Sequence, residues 1–171
     1  MTGIWLGFLG KITYFLIGAS HSKKLVLLVS DSTCKYVNNI DWMDVESISG
    51  ANIYTIHQFL KDNKARVKKY THLILHVGTN DIGNGLCSKL ITQYYCNLLE
   101  LITHNFSNIK IIMSAILPRP IDFDRTKQLV IETNNCLANL ALKRNVQFVK
   151  TYKQFVKHPG SLHKRKRFCK D

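Results

Sequence analysis

The sequence predicts an α/β fold, a three-layer α/β/α sandwich around a mostly parallel five-stranded sheet. Short apolar runs alternate with longer stretches of helical spacing from about residue 24 onward. The first run, "LVLLV" at residues 25–29, is aliphatic throughout, which is typical of a parallel strand buried on both faces. Repeated strand–helix–strand units favour right-handed crossovers and parallel strands. We therefore expect one domain at residues 24–171, preceded by a hydrophobic extension at residues 1–23.

Five strands and three main helices are expected along this domain. The predicted strands are residues 25–29, 44–48, 72–77, 109–116 and 146–149. The predicted helices are residues 52–69, 88–106 and 126–143, where apolar residues recur every three or four positions. Ser88 is the expected N-cap of the second helix. The segment "LPRP" closes the fourth strand, because proline does not continue regular structure there.

The composition indicates a globular protein with a strong basic excess. The chain is 46% hydrophobic and 10% aromatic, which argues against disorder. Its 24 Lys and Arg against 11 Asp and Glu give a net charge of +13, a balance that favours polyanionic partners. The basic residues cluster at 61–69 and 157–170, and such clusters are more often solvated surface than binding sites. A nucleic acid or other polyanion would contact the second cluster, at Lys164, Arg165, Lys166 and Arg167.

Cysteine and histidine spacing gives no sign of a metal site. The 5 cysteines are irregularly spaced and form no Cys-x-x-Cys pair, and the 7 histidines form no His-Glu-x-x-His motif. We therefore expect no metal and read the cysteines as reduced thiols, typical of an intracellular protein.

The hydrophobic start of the chain, "MTGIWLGFLGKITYFLIGAS", makes no clear membrane anchor. Its apolar stretch is too short for a good membrane span and is interrupted by Lys11. A signal peptide would carry positive charge before the apolar stretch, and Met1-Thr2-Gly3 supply no charged side chain. An amphipathic extension is the favoured interpretation, with a signal or anchor as the alternative.

Polar residues follow three of the predicted strands at the point where each strand ends. In an α/β sheet the carboxyl ends of the strands lie along one edge, where ligands bind, so we expect the three clusters to converge. Taken singly, each has a structural explanation as a helix cap or a turn. The clusters are Ser30-Asp31-Ser32, Ser49-Gly50 and Gly78-Thr79-Asn80-Asp81.

Together, the three clusters contain the groups that acyl transfer requires. A serine hydroxyl at a strand-to-helix turn, such as that of Ser32, can attack a carbonyl carbon. The negative oxygen that develops needs hydrogen-bond donors, and the backbone N–H of Gly50 can approach it closely. The carboxamide of Asn80 is a further donor, and loss of one such donor typically costs about 10²–10³ in rate.

These segments resemble the SGNH hydrolases, also called GDSL esterases and lipases. "SDS" at residues 30–32 is similar to their Gly-Asp-Ser block, with Ser30 in place of glycine. Gly50 in "SISGANI" is similar to their lone-glycine block, and "VGTND" at residues 77–81 matches their Gly-x-Asn-Asp block, the most specific signal. The resemblance extends from about Lys24 to the end of the sequence. It implies the flavodoxin-like, SGNH hydrolase type of α/β/α sandwich and an esterase without metal or cofactor.

The resemblance also implies a role for each motif residue. Ser32 is the nucleophile, and its amide, the Gly50 amide and the Asn80 side chain form the oxyanion hole. Asp31, Gly78 and Asp81 are supporting residues. Asp31 is further expected to accept hydrogen bonds from neighbouring amides and so to shape the nucleophile turn.

The last block of the family, Asp-x-x-His, is where the match breaks. His163 in "GSLH" is one candidate base, but Gly160 stands three residues before it and cannot orient an imidazole. In the alternative alignment, "KRKRFCKD" makes Asp171 the acid of the pair, and the sequence stops before the histidine. We favour this second alignment because it retains the aspartate. It describes a domain that is incomplete at its C-terminus.

Three other residues are assigned structural roles. Cys34, two residues beyond Ser32, is expected to be a packed thiol rather than a nucleophile. His76 lies in a predicted strand and is expected in the core or on a face of the sheet. His57 lies one residue off the apolar face of a predicted helix and is not expected to act in catalysis.

Two functions from different classes remain open on the sequence. The first is an SGNH-type esterase that hydrolyses acyl or acetyl esters through Ser32, impaired because the histidine is missing. The alternative is a non-catalytic module of the same fold that binds nucleic acid or another polyanion through its basic surface. Fold alone does not separate them.

Overall fold

The sheet has five strands, all parallel, in the order β2-β1-β3-β4-β5. The computed structural model describes residues 25–37 and 40–151. The α/β class and the five parallel strands predicted from the sequence are confirmed. The strands are β1 Val26–Ser30, β2 Met43–Ser47, β3 His72–His76, β4 Lys110–Ser114 and β5 Gln147–Val149.

Helices connect the strands in the expected order. Two 3₁₀ turns, Ser32–Cys34 and Pro120–Asp122, follow β1 and β4. The α-helices are α1 Ile53–Asp62, α2 Lys64–Val67, α3 Thr79–Gly83, α4 Ser88–Asn105 and α5 Phe123–Lys143.

The helix predictions differ from the structure in detail, and one helix, α5, starts at Phe123 rather than at residue 126. The single helix predicted at residues 52–69 is broken at Asn63, whose backbone and side-chain N–H groups both donate to the carbonyl of Phe59, at 3.0 and 2.9 Å. This local competition ends α1 before the chain starts α2. In addition, Ser88 is the first residue of α4 rather than its N-cap, which is Cys87.

The core is divided by the sheet into two apolar clusters. Leu27 and Val29 of β1 are fully buried on the face that packs against α1, α4 and α5. Val26 and Leu28 point to the opposite face, as the two-residue period of a strand requires. Burial on both faces explains why β1 is aliphatic throughout, and each fully buried leucine stabilises the fold by about 1.5–3 kcal/mol.

The strand register aligns the ends of three neighbouring strands. Ser30, the last residue of β1, lies opposite Ser47 of β2 and His76 of β3. The chain therefore leaves β2, β1 and β3 at the same edge of the sheet, and the three polar clusters begin there.

Candidate active site

The turn after β1 is shaped by the side chain of Asp31. Its Oδ1 atom accepts hydrogen bonds from the Thr33 amide at 2.9 Å and from the Thr33 hydroxyl at 2.6 Å. Asp31 is fully buried, whereas the next residue, Ser32, is exposed and starts the 3₁₀ turn. The expectation that Asp31 accepts hydrogen bonds from a neighbouring amide is confirmed. The turn thus buries its carboxylate and leaves the serine facing solvent.

Both neighbouring strands hold this turn in place. The Asp31 amide donates to the carbonyl of His76 in β3 at 3.3 Å. The Asp31 carbonyl accepts from the Ser47 hydroxyl of β2 and from the Ser30 hydroxyl, each at 2.9 Å. Ser30, which replaces the glycine of the Gly-Asp-Ser block that the sequence resembles, is therefore a buried hydrogen-bond donor.

Gly50 lies in an exposed turn between β2 and α1, with a φ of +70°. A β-carbon at this position would have no neighbour within 4 Å, so the backbone conformation rather than crowding favours glycine. The amide of the next residue, Ala51, donates to the carbonyl of Ile48 at 3.2 Å. Asn52 then caps α1 by accepting from the Thr55 amide at 2.8 Å. This turn brings the second polar cluster to the start of a helix.

The third cluster is fixed by Gly78, whose φ of +116° favours glycine and whose surroundings are crowded. A β-carbon there would lie 2.6 Å from Cδ1 of Ile116, so close packing at the strand end also favours a residue without a side chain. The chain can then turn directly from β3 into α3.

Two hydrogen bonds join the third cluster to the second. Asn80 Nδ2 donates to the carbonyl of Ala51 at 2.8 Å. Asp81 Oδ2 accepts from the amide of Ile53, the first residue of α1, at 3.1 Å. The structure therefore brings Asn80 beside Ala51, the residue that follows Gly50. Since a carboxamide carries two N–H hydrogens, Asn80 retains one for another acceptor.

The amides of Ser32 and Gly50 stand out in the backbone network. Within the described ranges, neither N–H donates to a backbone or side-chain acceptor. Ser32 lies at the start of a 3₁₀ turn, where the first amides lack partners within the turn. Both groups are therefore free to donate to a ligand oxygen.

Burial shifts the pKa values of several titratable groups near this edge of the sheet. It raises the pKa of the Asp81 carboxyl, and the negative charge of Asp31 adds to the rise. It also raises the pKa of the Cys34 thiol to about 12, so this buried cysteine stays protonated. The expectation that Cys34 is a packed thiol is confirmed. Burial raises the pKa of Tyr95 as well, and its hydroxyl donates to the carbonyl of Val77 at 2.8 Å.

His76 is a core residue, as the sequence predicts. It is buried at the end of β3, with Nδ1 at 2.9 Å from the Ser114 hydroxyl. Burial lowers the pKa of this imidazole. The imidazole is therefore a buried polar group at the carboxyl end of β3.

Sequence reasoning missed Asn134 on α5, which holds the segment after β4. Its Oδ1 accepts from the Ile116 amide at 2.7 Å, and its Nδ2 donates to the Ile116 carbonyl at 2.9 Å. Ile116 in turn is the residue packed against Gly78. A signal was present, because Asn134 interrupts the apolar face formed by Val130 and Leu137.

A cavity of about 480 Å³ lies beside these segments, between α1 and α4. Asp81 forms part of its wall, but Ser32, Gly50 and Asn80 do not line it. His57 also lines it, and the buried Nδ1 of this imidazole has no hydrogen-bond partner among the described residues. The sequence did not anticipate this cavity.

Several sequence-based expectations lie outside the described residues. These are the extension at residues 1–23, the candidate base His163, the candidate acid Asp171 and the basic residues Lys164, Arg165, Lys166 and Arg167. In the part of the chain that the structure describes, no helix has the length and apolar character needed to cross a bilayer. Nor do the described residues include a cluster of three or more side chains suited to holding a metal.

Comparison with known proteins places this geometry in a family. The model of the GDSL-like Lipase/Acylhydrolase family matches residues 26–167. No functionally curated protein matches the chain in sequence.

Solved structures share the fold at low sequence identity. A member of the lipolytic protein G-D-S-L family from Veillonella parvula is 17% identical, with 80% of this chain and 82% of that chain covered and a TM-score of 0.65. A GDSL-like lipase from Bacteroides thetaiotaomicron is 15% identical, with coverages of 85% and 78% and a TM-score of 0.66. The acetyl xylan esterase AlAXEase is 17% identical, with coverages of 80% and 81% and a TM-score of 0.60. Since the family model spans most of the sequence, the chain belongs to the GDSL-like lipase/acylhydrolase family, a family of ester hydrolases.

Proposed function

We propose that this chain hydrolyses acyl or acetyl esters with Ser32 as the nucleophile. The Ser32 hydroxyl attacks the ester carbonyl carbon, the C–O bond to the alcohol breaks, and the alcohol leaves with a proton. Water then attacks the acyl-serine, releases the acid and restores the hydroxyl. The exposed position of Ser32, above a buried and hydrogen-bonded Asp31, supports this role.

The negative oxygen formed in each step would be stabilised by three donors. These are the amides of Ser32 and Gly50, which have no acceptor within the described residues, and the second N–H hydrogen of Asn80. Fixed donors of this kind stabilise the transition state because they need no reorganisation when charge develops.

One contact supports this assignment most directly, the 2.8 Å hydrogen bond from Asn80 Nδ2 to the Ala51 carbonyl. It joins residues that are 29 positions apart and holds the Asn80 carboxamide beside the Gly50–Ala51 segment. It also identifies which atom is nitrogen, since a carbonyl oxygen accepts only from the N–H side of the amide.

The proton of Ser32 has to pass to a general base. His163 is one candidate base, and the alternative alignment makes Asp171 the acid of the pair. Without such a histidine, the rate falls by about 10⁴–10⁶ in Ser-His-Asp enzymes, and only oxyanion stabilisation and binding remain. His163 is the candidate that can be tested directly. The His163→Ala variant tests this: a large loss of activity would establish His163 as the base, and an unchanged rate would exclude it.

The proposed nucleophile is tested by the rate of p-nitrophenyl acetate hydrolysis. We expect Ser32→Ala to hydrolyse this ester more slowly than the parent protein, by about 10²-fold or more when a base is present. Ser107→Ala is the matched control, because Ser107 is an exposed serine in the loop before β4, at the other edge of the sheet. Equal rates for the parent and Ser32→Ala would reject serine catalysis in this chain.

A further inference from the structure

The cavity between α1 and α4 contains polar groups that the proposed reaction does not use. Three asparagines, Asn52, Asn84 and Asn97, line it together with His57. Two of the carboxamides are already oriented by their oxygens: Asn52 Oδ1 accepts from Thr55, and Asn97 Oδ1 accepts from the Gln93 side chain at 3.0 Å. Their N–H₂ groups remain as donors.

His57 adds an unsatisfied group to this set. Its Nδ1 atom is buried without a partner among the described residues. A buried polar atom normally has a hydrogen-bond partner. The N–H₂ groups of Asn52 and Asn97 suit a ligand hydroxyl better, because a hydroxyl oxygen accepts such hydrogen bonds.

Two tyrosines supply aromatic surface at the same cavity. Tyr54 on α1 is 65% exposed and Tyr94 on α4 is 38% exposed, although both line the cavity. Large exposed aromatic side chains at a cavity are typical of binding sites, because the ring provides rigid apolar area and the hydroxyl a polar end.

The charge of the lining limits the ligand. The described lining residues include no Lys or Arg, and the single acid, Asp81, is 2% exposed and has a pKa raised by burial. An anionic ligand would therefore find no positive partner. The purely apolar lining residues are only Ile53 and Leu86, too few to enclose a long acyl chain. Neutral and hydroxylated ligands remain.

From these observations, we propose that the cavity binds the sugar-like alcohol part of an ester substrate. This proposal rests on the proposed function. The cavity lies near the proposed oxyanion hole, because its lining residue Asp81 is next to Asn80 and its lining residue Asn52 is two positions from Gly50. The reacting ester would lie at Ser32, outside the cavity, so the bound part is remote from the chemistry. The cavity volume of about 480 Å³ lies in the range of about 300–1,000 Å³ that small-molecule sites occupy.

The experiment compares two acetyl esters with different alcohols. Methyl 6-O-acetyl-α-D-glucopyranoside carries a sugar that the proposed site would bind, whereas p-nitrophenyl acetate has no sugar. We expect Tyr94→Ala and Asn97→Ala to raise KM for the acetylated sugar by about 2- to 10-fold each, with p-nitrophenyl acetate unaffected. Asn135→Ala is the control, because Asn135 is an exposed asparagine on α5, away from the cavity.

The outcomes separate this inference from the proposed function. If both esters are hydrolysed in a Ser32-dependent way and neither variant changes KM for the sugar ester, the cavity assignment is wrong and the esterase assignment stands. A lower KM for acetylcholine than for the sugar ester would also overturn it, in favour of a cationic ligand between the tyrosines. If no ester is hydrolysed, titration of ¹⁵N-labelled protein with methyl α-D-glucopyranoside decides: shifts confined to the lining residues and their neighbours support the cavity, and their absence refutes it.

Discussion

Replacing Asn80 with alanine isolates one oxyanion donor. The carboxamide has two N–H hydrogens, and one of them is committed to the Ala51 carbonyl at 2.8 Å. Only one hydrogen is then left for the developing oxyanion. We expect Asn80→Ala to lower kcat for ester hydrolysis by about 10²–10³, with little change in KM, because this hydrogen bond forms mainly in the transition state.

The same substitution has a small, separable cost in stability. It removes the bond to Ala51 from a half-buried site, and a typical hydrogen bond contributes about 0.5–1.5 kcal/mol to folding. For a domain of this size the melting temperature would fall by about 1–6 °C. The protein stays folded at assay temperature, so loss of activity and loss of structure can be told apart.

The assay is steady-state hydrolysis of p-nitrophenyl acetate beside thermal unfolding followed by circular dichroism. Asn80→Asp sharpens the comparison, because it keeps the shape but replaces both N–H hydrogens with an acceptor, and we expect an even lower kcat. Asn135→Ala, at an exposed helical position, controls for loss of an asparagine as such. A folded Asn80→Ala protein with parental kcat would show that Asn80 is not an oxyanion donor.

Two further predictions concern buried polar groups near the site. Asn134→Ala leaves the buried amide and carbonyl of Ile116 unpaired and should lower the free energy of unfolding, measured by urea titration, by about 2–4 kcal/mol. Asn135→Ala, at an exposed position, should change it little. Equal effects of the two substitutions would contradict this prediction. For Asp81, burial and the charge of Asp31 raise the folded-state pKa above the unfolded value, so its ionisation costs stability as pH rises through the folded pKa. Asp81→Asn removes that cost, so its stability relative to the parent should increase as the pH rises above the unfolded-state pKa of about 3.9 and should level off above the folded-state pKa; a pH-independent difference would disprove the assignment.

Much of the fold could be predicted because it depends on local patterns. An uninterrupted aliphatic run is stable as a strand only when both its faces are covered, and β1 is buried in this way. The polar residues after β1, β2 and β3 meet at one edge because those strands are parallel neighbours.

Element boundaries were less predictable where side chains compete with the helix. Asn63 ends α1 by donating to the carbonyl of Phe59, an outcome that apolar spacing alone does not indicate. Asn134 lies on the buried face of α5, and its role depends on hydrogen bonds with Ile116, 18 residues earlier in the chain. Such partners are known only after the elements have packed.

The candidate site was likewise predictable where a local motif marks it and unpredictable where packing creates it. Ser32, Gly50 and Asn80 were identified because they stand in short motifs at strand ends. The cavity residues Tyr54 and Asn97 have no motif, since helix packing brings them together across 43 positions of the sequence.

The central claim, that Ser32 is the nucleophile, is tested most directly by covalent labelling. A fluorophosphonate ester reacts with an activated serine hydroxyl by displacement of fluoride, and the adduct can be located by peptide mass spectrometry. We predict one phosphonyl group per chain, on Ser32, and none on the Ser32→Ala protein. A label on a different residue, or ester hydrolysis by a protein whose Ser32 stays unlabelled, would contradict the account.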